Sequence, residues 1–180
     1  MNIVSLIVEQ LNLSLNLFKP VSRCLLNTIL FQRVVERVRP VDVMCPELEV
    51  DYVANPRLEE EVEKELESLR GLLRKKKFIQ LTVSLYFTVK ESGWFSSAEK
   101  VEWERWTIPI RLDSGVESSA RLQNLVKDRI QSILAQSDRH NTNLLAGDKV
   151  SVQIYDASES KGWSFSDLAD LIKKGPPAFS

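Results

Sequence analysis

The sequence predicts an α+β domain in which a mostly antiparallel sheet packs with three main helices. Within the run from Phe78 to Val89, apolar residues occupy every second position from Ile79 onward, which is typical of a strand with one buried face. Between residues 58 and 73, leucine and valine recur at spacings of four and three, as on one face of a helix. The chain has 180 residues, 43% of them hydrophobic, so it can bury a core without disulfides.

The N-terminal third is predicted to hold a strand, a central helix and a second extended segment. Apolar and polar residues alternate over residues 11–17, which favours a strand. Pro20 suits the first turn of a helix, and the apolar run 21–38 continues that helix until Arg39-Pro40 ends it. Because this run is apolar on nearly every face, we expect a buried helix. Residues 41–54 are predicted to be extended.

The amphipathic second helix is predicted to begin at Asn55-Pro56, where asparagine suits the N-cap and proline the first turn. Acidic residues crowd its first half from Glu59 to Glu67, and basic residues close it from Arg74 to Lys77, so both ends complement the helix dipole. We interpret the acidic face as a solvated face first and a docking surface second. The basic run is short and lacks interleaved aromatic residues, so it does not indicate a site for nucleic acid or lipid.

A β-bulge is predicted in the strand that includes Val101 to Leu112, because its apolar pattern changes parity between Trp103 and Trp106. Val101 and Trp103 share one face, whereas Trp106 and Ile108 follow the opposite parity. We expect both tryptophans to pack in the core or on the sheet. Pro109 cannot donate to a ladder hydrogen bond, so we place it at a sheet edge or at a second irregularity.

The C-terminal part is predicted to contain the third main helix, a late strand and a short closing helix. Asp113-Ser-Gly opens the third helix, and residues 150–154 alternate as a strand does. Residues 163–172 fit the closing helix, with Trp163 and Phe165 packed into the core. The expected buried stripe of the third helix consists of Leu122, Leu125, Val126, Ile130, Ile133 and Leu134.

The residue types that usually carry chemistry are sparse, which indicates a protein that is not an enzyme. The single histidine, His140, lies in a polar loop, and no cysteine and histidine set has zinc spacing. The serines lack a nucleophile elbow, and the six glycines form no phosphate-binding loop. We therefore predict no catalytic residue, no metal site and no cofactor.

Charge and cysteine usage point to a protein partner in a reducing compartment. Lys and Arg total 24 and Asp and Glu total 25, which gives no reason to expect nucleic acid. Cys24 lies in an apolar helical run and Cys45 stands before Pro46, and such a pair makes no disulfide framework. The sequence also suggests neither a signal peptide nor a transmembrane segment. We expect a cytoplasmic protein.

Trp94 and Phe95 are the candidate partner-binding residues. They stand side by side between Ser92-Gly93 and Ser96-Ser97, which are turn-forming residues, at what the pattern predicts to be a hairpin tip. Consecutive strand residues point to opposite faces, so one core cannot take both rings. Exposed apolar groups of this size usually mark a contact site. We interpret the pair as a protruding finger, and the competing interpretation is a tip folded back onto its own domain.

Residues 81–112 resemble the autophagy-related protein 101 family. The likeness consists of a strand, the tip Ser92-Gly-Trp-Phe-Ser96, and the run Trp-x-x-Trp-Thr at residues 103–107, nine residues after the tip tryptophan. In animal members the tip reads Trp-Pro-Phe, whereas Phe95 follows Trp94 directly here. A weaker likeness extends to residues 26–33, 42–53 and 139–140.

The resemblance implies a HORMA domain over residues 1–174 and a frayed tail at 175–180. It implies a non-enzymatic adaptor of the autophagy-initiating kinase complex, located in the cytoplasm and at the phagophore assembly site. Such an adaptor forms a HORMA–HORMA heterodimer with autophagy-related protein 13 and stabilises it. We expect part of the helix at 117–136 to lie in that dimer face. The resemblance further implies that Trp94 and Phe95 recruit downstream autophagy factors.

Two alternatives stay open at the level of sequence. The first is a HORMA adaptor of the checkpoint or DNA-repair type, which traps a closure peptide beneath a mobile C-terminal segment. The second, from another class, is a small-molecule-binding or enzymatic α+β domain, which would show ligand-dependent thermal stabilisation.

Overall fold

The structure is a computed structural model, and it describes residues 3–34, 39–89, 99–115, 118–140 and 150–159. Within these ranges the chain forms seven strands and three long helices, and a short 3-10 turn follows the last strand. The elements in chain order are β1 (Val4–Ile7), β2 (Leu11–Leu13), α1 (Leu15–Arg33), β3 (Val41–Cys45), β4 (Val50–Ala54), α2 (Glu59–Lys76), β5 (Phe78–Val89), β6 (Glu99–Leu112), α3 (Ser119–Arg139) and β7 (Val150–Asp156).

The larger sheet has the strand order β1, β6, β5, β7, and β2 pairs with β6 beyond the end of β1. β5 is antiparallel to both of its neighbours, whereas β1 and β2 run parallel to β6. β3 and β4 form a separate antiparallel pair. The predicted α+β class, with a mostly antiparallel sheet and three main helices, is therefore confirmed.

Pro109 occupies a central strand rather than an edge. It lies opposite Gln80 of β5, on a strand whose other side is covered by β1 and then β2. The amide of Val8 donates to the carbonyl of Thr107 at 2.9 Å. Since alternate residues direct their backbone groups to the same side of a strand, Pro109 faces the break between β1 and β2, where no partner residue requires its missing N–H.

Helix α1 is central, as predicted, but its ends differ from the prediction. Ser14 occupies the N-cap position, so the alternation over residues 11–17 is a strand only as far as Leu13. The run Leu-Asn-Leu-Ser-Leu-Asn-Leu fits a strand period, but its last leucines also fit the helical spacing that continues to Phe18 and Val21, both fully buried. Pro20 consequently lies inside the helix and not in its first turn.

The C-terminal end of α1 was predicted too far along the chain. The helix ends at Arg33, and Val34 is already extended, so Arg39-Pro40 does not terminate it. The apolar character of Val34 does not distinguish a helical residue from an extended one. Phe31, counted in the apolar run, is 43% exposed, whereas Cys24 and Leu25 of the same helix are fully buried.

The β3–β4 pair and α2 match the predicted order, but Asn55 is not the helix cap. Its side-chain oxygen accepts from the amide of Arg57 at 3.0 Å, and its carbonyl accepts from the amide of Leu58 at 3.0 Å. Asn55-Pro56 therefore forms a turn, and the helix begins at Glu59. The predicted apolar stripe is confirmed, because Val62, Leu66, Leu69 and Leu73 are buried and Leu58 packs against the core.

Helix α3 and strand β7 are confirmed with two corrections. Asp113 accepts a hydrogen bond from the amide of Gly115, and the helix itself starts four residues after that turn, at Ser119. Leu134 is 36% exposed and does not belong to the buried stripe, whose buried members are Leu122, Val126 and Ile133. The predicted closing helix at 163–172, with Trp163 and Phe165, lies outside the described residues.

Candidate functional site

The predicted finger residues, Trp94 and Phe95, lie outside the described residues, and the prediction about them remains a prediction. The strands on either side of them are described. β5 and β6 are adjacent in the sequence and pair antiparallel up to the match of Val89 with Glu99. The nine residues 90–98 therefore connect two strands that are hydrogen-bonded to each other, which is the connectivity that a hairpin requires.

The predicted β-bulge is present at the parity change in β6. Leu85 pairs with Glu104, but the next residue, Tyr86, pairs with Glu102, so Trp103 has no counterpart on β5. In a regular strand, an odd-numbered and an even-numbered residue would point to opposite faces. Because of the extra residue, Trp103 and Trp106 both point into the interior, where they are 8% and 0% exposed. A bulge bends a strand and increases its twist, so it sets the direction in which the hairpin leaves the sheet.

A buried ion pair lies directly at this bulge. Arg33 of α1 donates through Nε to Oε1 of Glu104 at 2.6 Å, and its Nη2 pairs with the other carboxylate oxygen. Both side chains are fully buried. The indole Nε1 of Trp106 donates to the same Oε1 at 2.5 Å. The carboxylate thus receives three donors, which compensates for the cost of removing it from water.

The same arginine ties three elements together. Its Nη2 donates to the backbone carbonyl of His140, at the end of α3, at 3.3 Å, and its guanidinium stacks over the ring of Trp103 at 5.3 Å. Its Nη1 is buried and makes no hydrogen bond within the described part of the chain. The C-terminal ends of α1 and α3 are therefore fixed to the strand that leads into the candidate finger.

The sequence contains a signal for this pair that the prediction did not use. Glu104 has the same parity as Trp106 and Ile108, so a charged residue occupies a position of the inward row. Arg33 follows the buried residues Ile29 and Leu30 at helical spacing on an otherwise apolar helix. Two charges at buried positions require each other, although 71 residues separate them in the chain.

The opposite face of the hairpin base carries a second, partly exposed ion pair. Arg105 donates to Glu102 through Nε and Nη2 at 2.8 and 2.7 Å. Burial by itself raises the pKa of the Glu102 carboxyl, but the hydrogen bonds from Arg105 and Ser84 outweigh it and hold the pKa below its usual value. This pair lies at the bulge on the side that faces solvent, and it stabilises the same segment of β6.

Asp156 fixes the other edge of the sheet. It accepts hydrogen bonds from Lys76 Nζ at 2.8 Å, from the amide of Gln80 at 2.9 Å, and from the amide and hydroxyl of Ser158 at 3.0 and 2.7 Å. Burial opposes ionisation of this carboxyl, but these donors together hold its pKa below the ordinary value. Strand β7 is thereby attached to α2 and β5 at the point where it ends.

The acidic face of α2 is neither purely solvated nor free. Glu63 and Glu67 pair with Lys19 of α1, and Glu59 pairs with Arg23 of the same helix. Hydrogen bonds to Glu63 and Glu67 raise the pKa of the Lys19 ammonium. One row of this face therefore attaches α2 to α1, while Glu60 and Glu61 remain exposed to solvent.

The described ranges contain neither a cluster of metal-ligating side chains nor a reactive thiol. Among the described ranges, no group of three or more His, Cys, Asp and Glu side chains could hold a metal ion. Cys24 and Cys45 are free and buried. Burial raises the pKa of the Cys24 thiol to about 12 and also raises that of Cys45. Both thiols are therefore protonated at neutral pH and make poor nucleophiles.

The architecture first defines a class of protein. Three helices pack with a mostly antiparallel sheet, a combination consistent with a HORMA-like fold. The sequence model described as autophagy-related protein 101 matches residues 10–118 of this chain. The chain belongs to the autophagy-related protein 101 family, and this membership supports a role in autophagy. The matched region includes α1, α2 and both strands of the hairpin.

A curated relative agrees with the family match. Autophagy-related protein 101 of Arabidopsis thaliana is 29% identical to the chain over 99 residues, which cover 52% of this chain and 46% of the relative. The alignment thus spans about half the length of each protein. None of the helices in the described ranges is long and apolar enough to cross a membrane.

Proposed function

We propose that this protein is a non-enzymatic adaptor subunit of the autophagy-initiating kinase complex. In this role its domain pairs with the HORMA domain of autophagy-related protein 13 and stabilises it. Trp94 and Phe95 then recruit downstream autophagy factors at the phagophore assembly site in the cytoplasm. The observation that carries the proposal is the family match over residues 10–118, which includes both aromatic residues and the strands that flank them.

The hairpin base supports the recruiting role. A partner-binding loop gains affinity when its support is rigid, because less conformational entropy is lost on binding. The bulge is held from inside by Arg33 and Glu104 and from outside by Arg105 and Glu102. Aromatic residues are the commonest hot spots of interfaces, where truncation costs about 2 kcal/mol or more. Two adjacent rings on such a base suit a recruiting contact.

The recruiting role is tested with the double variant Trp94→Ala with Phe95→Ala. We expect the variant to fold and to co-purify with autophagy-related protein 13 in the wild-type amount, while downstream autophagy factors are no longer captured. Phe31→Ala is the matched control, because Phe31 is an exposed aromatic residue that belongs to α1 and not to the segment between β5 and β6. Normal capture by the double variant would overturn the recruiting role, as would its unfolding, which would show that the rings belong to the core.

The proposed dimer face is tested separately on α3. Leu134 is an exposed apolar residue of that helix, so an arginine there should disrupt a face that contains it. We expect Leu134→Arg to reduce co-purification with autophagy-related protein 13 at least about tenfold. Ser68→Arg places the same charge on the exposed side of α2 and should leave co-purification unchanged. Equal effects of the two variants would remove α3 from the dimer face.

A further inference from the structure

The acidic charge of this protein is concentrated in one continuous stretch. Residues 41–67 contain ten acidic and two basic residues, which leaves 15 acidic and 22 basic residues in the remainder of the chain. The net charge of −1 is therefore the sum of an acidic segment and a basic remainder. The first part of this stretch, the β3–β4 pair with its turn, contains four carboxylates and no basic residue. These carboxylates are all exposed, and they are Asp42, Glu47, Glu49 and Asp51.

Strand β3 presents an open edge within this acidic stretch. Among the described residues β3 pairs with β4 and with no other strand. Met44 is 61% exposed and Val41 is 49% exposed, the two highest values among the large hydrophobic residues of the described chain. An open strand edge with exposed apolar side chains is a template for pairing with another chain.

A groove runs between β3 and the helices. It has a volume of about 400 Å³, within the usual range for ligand pockets. Lys19, Pro20 and Arg23 of α1 line it on one side, and Val43 and Met44 of β3 line it on the other. Tyr52, which pairs with Val43 across the hairpin, contributes a largely buried ring. Burial raises the pKa of its hydroxyl to about 12, so the ring is neutral at physiological pH.

The basic groups in this groove are already neutralised by the protein itself. Lys19 is paired with Glu63 and Glu67, and Arg23 is paired with Glu59. Arg70 lies 3.5 Å from Glu67. The uncompensated charge around the groove is therefore the negative charge of the hairpin, so electrostatic complementarity requires a positively charged occupant.

We propose that β3 accepts an extended, basic segment of a partner protein as an added strand. Its backbone pairs with the open edge of β3, and its side chains alternate between two environments. One set points to the face of Asp42 and Met44, where lysine or arginine meets the carboxylates of Asp42 and Asp51. The other set points toward the groove beside Val43 and Tyr52, where aliphatic side chains fit.

The charge pattern selects this occupant over a second copy of the same chain. Two β3 edges that pair with each other would bring eight exposed carboxylates together without a basic residue from either hairpin, since each contributes four. Like charges facing each other across a strand pair are destabilising. The turn of the hairpin is also held in place, because Gln123 of α3 donates to the carbonyl of Glu49 at 3.1 Å. The edge is thus pre-positioned for a complementary strand.

The test uses the full chain and a defined probe, a fluorescent nine-residue peptide that alternates lysine and valine. Binding is measured by fluorescence anisotropy, and the contact is located by amide hydrogen exchange. We expect saturable binding with slowed exchange at residues 41–45. N-methylation of alternate peptide bonds retains the charges but removes backbone donors, so methylation on the pairing side should weaken binding at least about tenfold. Methylation on the opposite side should have little effect.

Matched variants of the protein test the acidic contribution. The double variant Asp42→Asn with Asp51→Asn should weaken binding of the peptide at least about tenfold. Asp128→Asn with Asp138→Asn changes the net charge equally on α3 and should leave binding unchanged. Equal effects of the two pairs, or equal binding of both methylated peptides, would overturn the proposal. Slow exchange without peptide at those amides of 41–45 that are not bonded to β4, or a dimer formed through this edge, would also overturn it.

Discussion

Two ion pairs of α1 lie in opposite environments. At the hairpin base, Arg33 and Glu104 are fully buried. Arg33 stacks on the ring of Trp103, and Glu104 accepts a hydrogen bond from the indole of Trp106. Between α1 and α2, the side chains of Arg23 and Glu59 retain 37% and 22% of their exposure. The two pairs are both close contacts, yet water screens only the second. Burial, rather than the contact itself, determines how much the loss of one partner costs.

The largest expected effect follows from breaking the buried pair. Glu104→Ala leaves the Arg33 guanidinium charged and enclosed without its partner, so we expect the free energy of unfolding to fall by about 3–5 kcal/mol. Chemical denaturation provides the measurement. The double variant Arg33→Met with Glu104→Leu leaves no unpaired charge. It should lower the free energy of unfolding clearly less than Glu104→Ala does. If Glu104→Ala lowers the free energy of unfolding by less than about 1 kcal/mol, the buried pair contributes no more than a surface ion pair does.

A smaller loss is expected at Asp156, which joins β7 to α2 and β5. Its carboxylate accepts four hydrogen bonds and its side chain is 4% exposed. Asp156→Ala leaves the amide of Gln80 without this acceptor, so we expect a loss of about 1–3 kcal/mol. Hydrogen exchange should show faster opening of β7 than of the β5–β6 pair. Uniform opening of the whole sheet would contradict the local role.

The contribution of the Asp156 carboxylate to stability should also depend on pH. Because the pKa of Asp156 is lower in the folded protein than its ordinary value of 3.8, the unfolded chain takes up the proton first as the pH falls. The stabilisation is therefore complete well above pH 3.8 and is lost as the pH falls through the lowered folded value. Asp156→Asn should show a flatter fall in unfolding free energy between about pH 5 and 2. An unchanged slope would exclude this carboxyl as a source of acid sensitivity.

The smallest effect is expected for the exposed pair. In a double-mutant cycle with Arg23→Met and Glu59→Gln, the coupling free energy should be about 0.2–1 kcal/mol. It should decrease between 0.1 M and 1 M sodium chloride, whereas the coupling of Arg33 with Glu104 should change little. A salt-independent coupling above about 2 kcal/mol would erase the distinction between the two regions.

Local patterns in the sequence were sufficient for most elements. The alternation from Phe78 to Val89 gave β5 with its bounds, and the parity change between Trp103 and Trp106 located the bulge. Such signals are local, because a strand face repeats every second residue. Boundaries were less accurate at Ser14, where the sequence fits both a strand and a helix, and at Asn55, where it fits both a turn and a helix cap. β1 was missed, because its four residues pair with a strand about 100 residues later.

The candidate site is predictable only in part for a similar reason. The position of Trp94 and Phe95 between two strands follows from local pattern, and the pairing of β5 with β6 is confirmed. The pair of Arg33 with Glu104 depends on the packing of α1 against β6, which no local pattern encodes. The open edge of β3 likewise depends on which strands pair. A sequence shows which charges occupy apolar positions, but only the fold shows which of them meet.

The central claim is that Trp94 and Phe95 are presented to solvent while the tryptophans at the bulge are enclosed. Hydroxyl-radical footprinting read by mass spectrometry measures this directly, since Trp103 and Trp106 serve as buried controls in the same chain. We predict that Trp94 oxidises much faster than Trp106 and becomes protected when a downstream autophagy factor binds. Oxidation of Trp94 as slow as that of Trp106 in the free protein would contradict the account.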